Sequence, residues 1–592
     1  MKEPFIRDLH AYLDVLRKES DLLEVDIEVD PYLEIAEIHR RVIARGGPAL
    51  LFKRVKGSRF SVATNLFGTN KRMEIAFGHR AQDFVKDMVR AAEKLMPPSL
   101  GKLWSMRGLI PQITKIGTRV VKNGPILDNC FSPARLSELP MLTSWKTDGG
   151  PFVTLPLVYT EHPGGRGHNL GMYRIQRFDD QTTGIHWQIH KGGGYHYHEA
   201  ERRNQSLPLT LYIGGPPALI MSAIAPLPEN LPELMLASLL LGEKLPMVKD
   251  PAGGHNMVAF AEFAAKGTVP PHMRRPEGPF GDHYGYNSLT HDYPVFQVDR
   301  LYHRRNAIYP ATVVGRPKQE DYYIGDFLQD LLSPLFPLVM NGVKQLKTFG
   351  EAGFHCLAAA RVTDRYPRES FASGLRILGE GQLSLTKFLI ITDGDINIEN
   401  FRELWVHVLE RADWRRDLFV FANVSQDTLD YTGPSVNNGS KALLMGLGRE
   451  PRNVLPQSFH GSLPMGCRGA LAYLPGTLVV EGDGYGVEKA LPQRIASDQA
   501  FTGWPVVVLV DSLKEATENM QEFVWTFFTR FEPAADIYSA DQQVHRFHVG
   551  LVPPIVFDCR MKPWYPHVLE VDPDTKKLVD GKIDAILPKN LW

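Results

Sequence analysis

The 592-residue chain is poor in cysteine, in charge of one sign and in long apolar runs. Its four cysteines, Cys130, Cys356, Cys467 and Cys559, lie far apart and form no Cys-x-x-Cys pair. That excludes a disulfide-built scaffold and a zinc ribbon, and reads as isolated thiols of a cytoplasmic protein. Lys and Arg number 66 against 67 Asp and Glu, a formal net charge of −1. A nucleic-acid binder carries a basic excess, so that class is set aside, while one local phosphate pocket remains compatible with the balance. The longest strongly apolar run, residues 234–241, falls far short of the roughly 20 residues of a membrane-spanning helix. The N-terminus is charged throughout, which predicts no secretory signal. No Gly-x-Gly-x-x-Gly follows a strand and no Walker loop occurs; Gly164, Gly165 and Gly167 make only a turn. An ordinary nicotinamide or flavin dinucleotide fold is therefore not expected.

What is present is an ordinary globular composition, 43% apolar and 22% charged. The length suggests roughly three to four domains. Residues 5–18 have helical apolar spacing through Phe5, Leu9, Leu13 and Leu16. A second helix is predicted from Asp30, a capping residue, and Pro31 at the first helical position, ending at Gly46 and Gly47. Residues 49–52 and 60–63 read as strands. These elements make an N-terminal α/β domain over 1–125. From 126 to 320, short β-rich runs alternate with Gly/Pro turns, as in a split β-barrel-like core. Residues 321–350 read as a helical linker. A C-terminal α/β domain follows over 351–450, with an extension over 451–592. In this α/β part, residues 387–392 read as a buried strand ending at Asp393, then a helix with Glu403, Trp405 and Arg411, then Asp417. Residues 505–511 offer the same order: a strand ending at Asp511, then Glu522, Trp525, Arg530 and Asp536. This reads as a repeated βα unit, or as two uses of a common one. The fold class is α+β multidomain.

Most of the unusual polar residues fall in the central region. Glu277 and Asp282 flank a tight Gly278-Pro279-Phe280-Gly281 turn. Two neighbouring carboxylates cannot both ionise cheaply, so one is expected to stay protonated as a general acid; a solvated acidic turn is the bland reading. Arg174 lies in an apolar-flanked run and needs a partner, for which Glu277 is suitable. Asn169, His186 and Glu233 offer the donor mixture of a Mn²⁺ or Mg²⁺ site that also binds phosphate. No spacing links these three. Glu233 also fits the first turn of a helix behind Pro232. His196, His198 and Glu199 form a rival cluster, with a polar strand as its plainer reading.

Four segments together resemble the UbiD family of decarboxylases. They are Asn-x-Gly-x-Tyr-Arg at 169–174, Trp187 with His190-Lys191-Gly192-Gly193, Pro-Glu-x-x-x-Glu at 228–233, and Glu-Gly-Pro-Phe-Gly-Asp at 277–282. Their order and spacing fit as well. Further likeness lies in Gly46 to Phe52, in Asn65 to Thr69, and in Gly439-Ser440-Lys441, so the resemblance covers about 1–447. It implies prenylated FMN, supplied by a separate flavin prenyltransferase partner, and Mn²⁺ bridging protein to the cofactor phosphate with K⁺ nearby. Asn169, His186 and Glu233 would be the metal ligands; the family carries Arg or His at the place of His186. Met172, Tyr173, Arg174, His186, Trp187, Gln188, Lys191 and Gly192 would line the cofactor. Arg174, Glu277 and Asp282 would be the catalytic network, with Asp282 donating the proton after CO₂ leaves. The flavin would be the electron sink that decarboxylation requires.

The resemblance implies a reversible carboxy-lyase for an aromatic or α,β-unsaturated acid, and a homo-oligomer, dimer or hexamer. Many family members end soon after the Gly439 region. Longer ones resemble those assigned to menaquinone synthesis, where a dihydroxynaphthoic acid is decarboxylated; a hydroxybenzoate in quinone synthesis is the neighbouring reading. The alternatives are a catabolic aromatic-acid decarboxylase or carboxylase of the same family, and a non-catalytic scaffold protein.

Overall fold

The computed structural model describes residues 6–78, 82–83, 85–87, 89–90, 114–165, 167–188, 192–225, 227 and 232–587. They form two compact units: Met1–Leu331 with Val568–Trp592, and Leu332–His567. The stretch 451–592, read above as one extension, is thus divided between them.

In the first unit, helix Leu9–Lys18 begins at Asp8, whose carboxylate accepts from Ala11 N–H. The second helix starts later than the sequence predicts, at Glu34. Asp30 is occupied in a turn of its own, accepting from Tyr32 N–H at 2.9 Å while its N–H donates to Glu34. Leu33 then stands at φ +64°, so the helix cannot reach back to Pro31. The helix packs beside a four-stranded sheet in the order Leu22–Val29, Ala49–Val55, Ser61–Thr64, Ile308–Pro310. The Asn65 to Thr69 motif belongs to this layer. Backbone N–H groups of Asn65 and Phe67 donate to the fully buried Glu320, whose carboxyl burial pushes up to about 7.

The central sheet has ten strands. Eight form a continuous antiparallel path: Phe152–Val153, Ile175–Arg177, Thr182–Ile185, His291–His303, Phe263–Val269, Leu207–Ile213, Pro156–Glu161 and His168–Gly171. Arg274–Glu277 and Asn129–Phe131 pair with the long strand at its side. The path does not close on itself, so no closed barrel forms among the described residues. The reason lies in one crossing. Strands His168–Gly171 and Ile175–Arg177 sit near opposite ends of the path, yet only Met172, Tyr173 and Arg174 separate them. Four Cα steps span at most about 14 Å, so the sheet must curl until its ends approach. Within the crossing the ladder to the neighbouring strand ends at Arg174, whose carbonyl accepts from His186 N–H at 3.2 Å, and the functional residues gather there.

The linker is helical only in part. Helix Glu320–Leu332 and the short Phe336–Val339 turn are followed by strand Val343–Thr348. That strand opens the second unit's first sheet, ordered Val343–Thr348, Leu357–Val362, Phe388–Thr392, Asn438–Gly446, Leu418–Ser425. Its second sheet runs Cys467–Leu474, Thr477–Gly482, Val506–Val510, Ile555–Asp558, Ile537–Tyr538. Both sheets pair antiparallel, parallel, parallel, antiparallel along that order. Helix Phe401–Arg411 is capped by Asn400 on Glu403 N–H, and helix Met520–Thr529 by Asn519 on Glu522 N–H. Asp417 accepts from Asp413 N–H at 3.0 Å, and Asp536 from Glu532 N–H at 2.8 Å. Both aspartates of the βα pattern therefore hold a turn.

The two halves of this unit meet reciprocally. The Trp405 indole N–H of the first helix donates to Thr477 Oγ1 at 2.8 Å, beside the turn joining the second sheet's first two strands. The second helix packs on Gly350–Ala352, the turn joining the first sheet's first two strands. Between the helices lies an aromatic layer: Phe401 to Phe523 at 6.2 Å, Trp405 to Phe527 at 5.7 Å and Phe388 to Phe528 at 5.6 Å between centroids. Trp405 is fully buried. Trp405→Ala is expected to cost about 3–5 kcal/mol, as large aromatic truncations do. The urea midpoint checks the magnitude. Hydrogen exchange checks the coupling: strands Phe388–Thr392 and Val506–Val510 should lose protection together.

Candidate active site

The seam crossing sets Arg174 on the side of the sheet facing Glu277. Glu277 ends strand Arg274–Glu277 and is fully buried. Arg174 grips it with two parallel bonds, Nε to Oε1 and Nη2 to Oε2, both 2.9 Å. Its third nitrogen, Nη1, donates to Asp282 Oδ2 at 2.5 Å, and Nη2 also reaches Ser288 Oγ at 2.9 Å. The guanidinium is thus spent fully on a two-carboxylate cradle. Its side chain is 7% exposed.

The turn between the two acids is built by glycines. Gly278 stands at φ +95°, and a Cβ on Gly281 would lie 2.0 Å from the Trp145 ring. Asp148 fastens the turn, accepting from Gly281 N–H at 2.8 Å and from Ser144 and Trp145 N–H at 2.9 Å. Burial pushes the Asp148 carboxyl up to about 6. Gln176 adds a clamp, accepting from Gly278 N–H and donating to Gly149 O, both at 2.8 Å.

The charge balance corrects the expectation that one acid stays protonated. Burial raises Glu277, but Arg174 and His186 outweigh it and bring the carboxyl down to about 2. Burial likewise opposes ionisation of Asp282. The hydrogen bond from His283 and the Arg174 charge prevail, and hold it well below the carboxylate range. The two acids do not confront each other, because one cation stands between them. In this state both are anions.

His186 completes the group. Its Nδ1 meets Glu277 Oε2 at 3.1 Å and its Nε2 faces Tyr293 OH at 3.5 Å. Burial and the Arg174 charge lower its pKa, so the ring is neutral at pH 7. The carboxylate at Nδ1 selects the tautomer with its proton there, leaving a lone pair on Nε2.

A second group lies on the same crossing. Asn169 Nδ2 donates to Glu233 Oε1 at 2.8 Å, and Leu170 N–H to Oε2 at 3.0 Å. Glu233 opens helix Glu233–Leu241. Burial raises its pKa against these bonds. Tyr173 OH donates to Asn169 Oδ1 at 2.9 Å and accepts from Gly193 N–H at 3.0 Å. Gly192 and Gly193 open helix Gly192–Arg202. A Cβ on Gly192 would lie 2.7 Å from Asn169 Nδ2, and one on Gly193 2.7 Å from Trp187 Nε1. Trp187 is buried, and its indole N–H has no hydrogen-bond partner among the described residues. Met172 and Gln188 are partly exposed nearby in sequence, and Lys191 lies outside the described residues.

So Arg174, Glu277 and Asp282 come together with His186, and Asn169 with Glu233. The rival cluster does not form: Glu199 pairs with Arg203 at 2.7 Å, and His196 bonds Thr160 at 2.9 Å. Among the described residues, no three of His, Cys, Asp and Glu are placed to hold a metal on their own. Asp148, Ser288, His283 and Tyr293 escape a reading of the sequence. Only His283, adjacent to Asp282, carries a signal that could find it.

Comparison with known proteins agrees with this architecture. Residues 13–92, 119–317 and 322–446 match the N-terminal, Rift-related and C-terminal domains of 3-octaprenyl-4-hydroxybenzoate carboxy-lyase. The chain belongs to the UbiD family. A Chlamydia pneumoniae protein, named as a component of 4-hydroxybenzoate decarboxylase, is 45% identical over 580 residues, 98% of each chain. An Archaeoglobus fulgidus relative is 34% identical over 435 residues, 73% of this chain and 90% of its own. Vanillic acid decarboxylase of Sedimentibacter hydroxybenzoicus, in closed form, has the same fold. Its TM-score is 0.67 at 24% identity, covering 77% of this chain and 96% of that one. HmfF of Pelotomaculum thermopropionicum, solved with prFMN, gives 0.61 at 23%, covering 74% and 95%. Among the described residues, no helix is long and apolar enough to cross a membrane.

Arg174→Leu tests the charge balance. In the wild type, Glu277 titrates in the fold at about 2, below its ordinary 4.5. Its stabilisation is therefore complete above about 4.5 and fades as pH falls toward 2. Without Arg174, both buried carboxylates keep only their histidine neighbours for compensation, so their pKa values rise. The variant should lose about 3–5 kcal/mol at pH 7. Its deficit should shrink as pH falls from 7 toward 4, which urea midpoints across that range measure.

Proposed function

We propose that the chain is a non-oxidative decarboxylase of an aromatic or α,β-unsaturated carboxylic acid, working with prenylated FMN and Mn²⁺. The observation that carries this is the asymmetric grip of Arg174. Glu277 holds one whole edge through two nitrogens and fixes its orientation, while Asp282 occupies one nitrogen alone.

The seam fits a flavin phosphate and a divalent ion. Gly192 and Gly193 let a helix N-terminus, where backbone N–H groups favour an anion, start close against Asn169 and Trp187. The Trp187 indole N–H, unpartnered among the described residues, is a buried donor suited to an acceptor of the cofactor. Asn169 and Glu233 supply hard oxygen donors, suited to Mn²⁺ or Mg²⁺. His186 would join them through Nε2 while Glu277 orients it at Nδ1, a common outer-shell arrangement around metal-bound histidine. Met172, Tyr173, Gln188 and Lys191 are the remaining residues assigned to the cofactor. When bound, prenylated FMN supplies the electron sink for the pair left by the departing carboxylate.

The chain's own residues do the rest. A substrate carboxylate takes the guanidinium edge that Asp282 holds, since a planar fork suits it. Asp282 then loses its cation, burial dominates, and its carboxyl takes up a proton. Loss of CO₂ breaks the C–C bond, and Asp282 delivers that proton to the same carbon. Solvent restores it. Glu277 stays anionic throughout and keeps Arg174 aligned. The intact trio argues against a scaffold role. The names of the C. pneumoniae relative and the S. hydroxybenzoicus enzyme favour a hydroxybenzoate-type substrate over a dihydroxynaphthoate.

The test is co-expression with a flavin prenyltransferase, followed by native mass, absorbance and metal analysis, then CO₂ release from hydroxybenzoic acids. Bound prenylated FMN with Mn²⁺ is expected. Asp282→Asn should keep the flavin and lose turnover by roughly a hundredfold or more. A folded chain that takes up neither flavin nor metal, or an active Asp282→Asn, overturns the proposal.

A further inference from the structure

The residues that follow the second unit return to the first and end up bonded to the Asp282 loop. Val568 forms an isolated antiparallel bridge with Tyr286. Leu569 N–H donates to Gly285 O at 3.0 Å. Those two loop residues are themselves tied to Asp282: its N–H donates to Tyr286 O at 3.1 Å, and its carbonyl accepts from Gly285 N–H at 2.9 Å. Only one residue therefore stands between the returning segment and the acid that faces Arg174.

The segment is anchored well beyond this contact. Asp572 receives Lys146 at 2.6 Å and caps helix Pro573–Asp580 through Thr575 N–H. Arg41 holds Asp580 at 2.6 Å and Lys576 O at 3.0 Å, and Lys582 reaches Glu34 at 2.7 Å. Exposed ion pairs alone would contribute little. The weight is carried by Val579, Ile583, Ile586 and Leu587, buried in one core with Val25, Ile35 and Val42. Lys146 belongs to the 144–148 turn whose Asp148 grips Gly281. The loop is consequently held at both ends, by Asp148 before Asp282 and by the returning segment after it.

We infer that residues 568–587 are a strap that positions Asp282 for the reaction. The inference rests on the proton-donor reading of Asp282. The loop closes on itself through its own backbone bonds, Ser288 N–H to Phe280 O at 2.7 Å among them, so what the strap fixes is where this glycine-containing turn stands rather than its internal shape. Asp282 must release Arg174 with its side chain while its backbone stays in place. Small misplacements of a reacting group are costly, so an external brace is what this loop requires. Asp282 touches the reacting atoms; Leu569 acts through the loop.

Leu569→Pro removes the N–H that binds Gly285 O, and Leu569→Ala keeps it. In the full chain, Leu569→Pro should speed amide exchange over 280–287 by about tenfold or more, with or without cofactor. In the loaded enzyme kcat should fall about tenfold with KM within about twofold, the signature of an interaction used only in turnover. Leu569→Ala should leave exchange and kcat near wild type. Wild-type exchange over 280–287 in folded Leu569→Pro overturns the strap. An active Asp282→Asn overturns instead the reading on which it rests, so the two failures are distinct. Should Leu569→Pro not accumulate, Val579→Ala loosens the strap from its core without touching the loop: faster exchange over 280–287 supports the inference, and unchanged exchange overturns it.

Discussion

Everything at the candidate site depends on burying one guanidinium. Arg174 cannot shed its proton, and an unpaired cation in this position would be prohibitive. The fold answers with Glu277 held in a complete two-bond match and Asp282 added on the third nitrogen. The surroundings serve that arrangement. Strand Arg274–Glu277 delivers one carboxylate, a glycine turn delivers the other, and Asp148, Gln176 and Ser288 satisfy the turn's backbone. The neutral His186 extends the same network from Glu277 to Tyr293. Electrostatics here is a chain of mutual dependence rather than a set of separate contacts.

The organisation of the seam explains why the two groups share one neighbourhood. Asn169 ends one side of the curled sheet and Arg174 leads into the other. A three-residue crossing joins the strand of Asn169 to Arg174, so the Asn169–Glu233 pair and the Arg174–Glu277–Asp282 group cannot drift apart. Glycines at 192 and 193 let a helix start against this crossing, where any Cβ would strike Asn169 or Trp187.

The turn at 277–282 is legible in the sequence because glycine and proline fix local geometry. Helix Leu9–Lys18 and strand Phe388–Thr392 are equally clear from periodicity and β-branched content. Other features are not legible, for physical reasons. The second helix starts late because the Asp30 side chain serves a turn and Leu33 takes a left-handed conformation. Val343 and Leu346 have helical spacing, yet pairing with Leu357–Val362 makes that segment a strand. Long-range pairing likewise decides the open sheet. The ionisation of Asp282 differs from expectation because the sequence shows two acids close together and does not show the cation between them. Asn169 and Glu233, 64 residues apart, could be joined only by the resemblance, not by spacing.

The crossing has a consequence for divergence. Its length is fixed by the sheet on both sides: one residue more would slacken the curl and slide Arg174 off Glu277, and one fewer would pull the strands out of register. Insertions and deletions are therefore forbidden at 172–174. Variation in this neighbourhood has to come from substitutions outside the crossing and the strands that flank it.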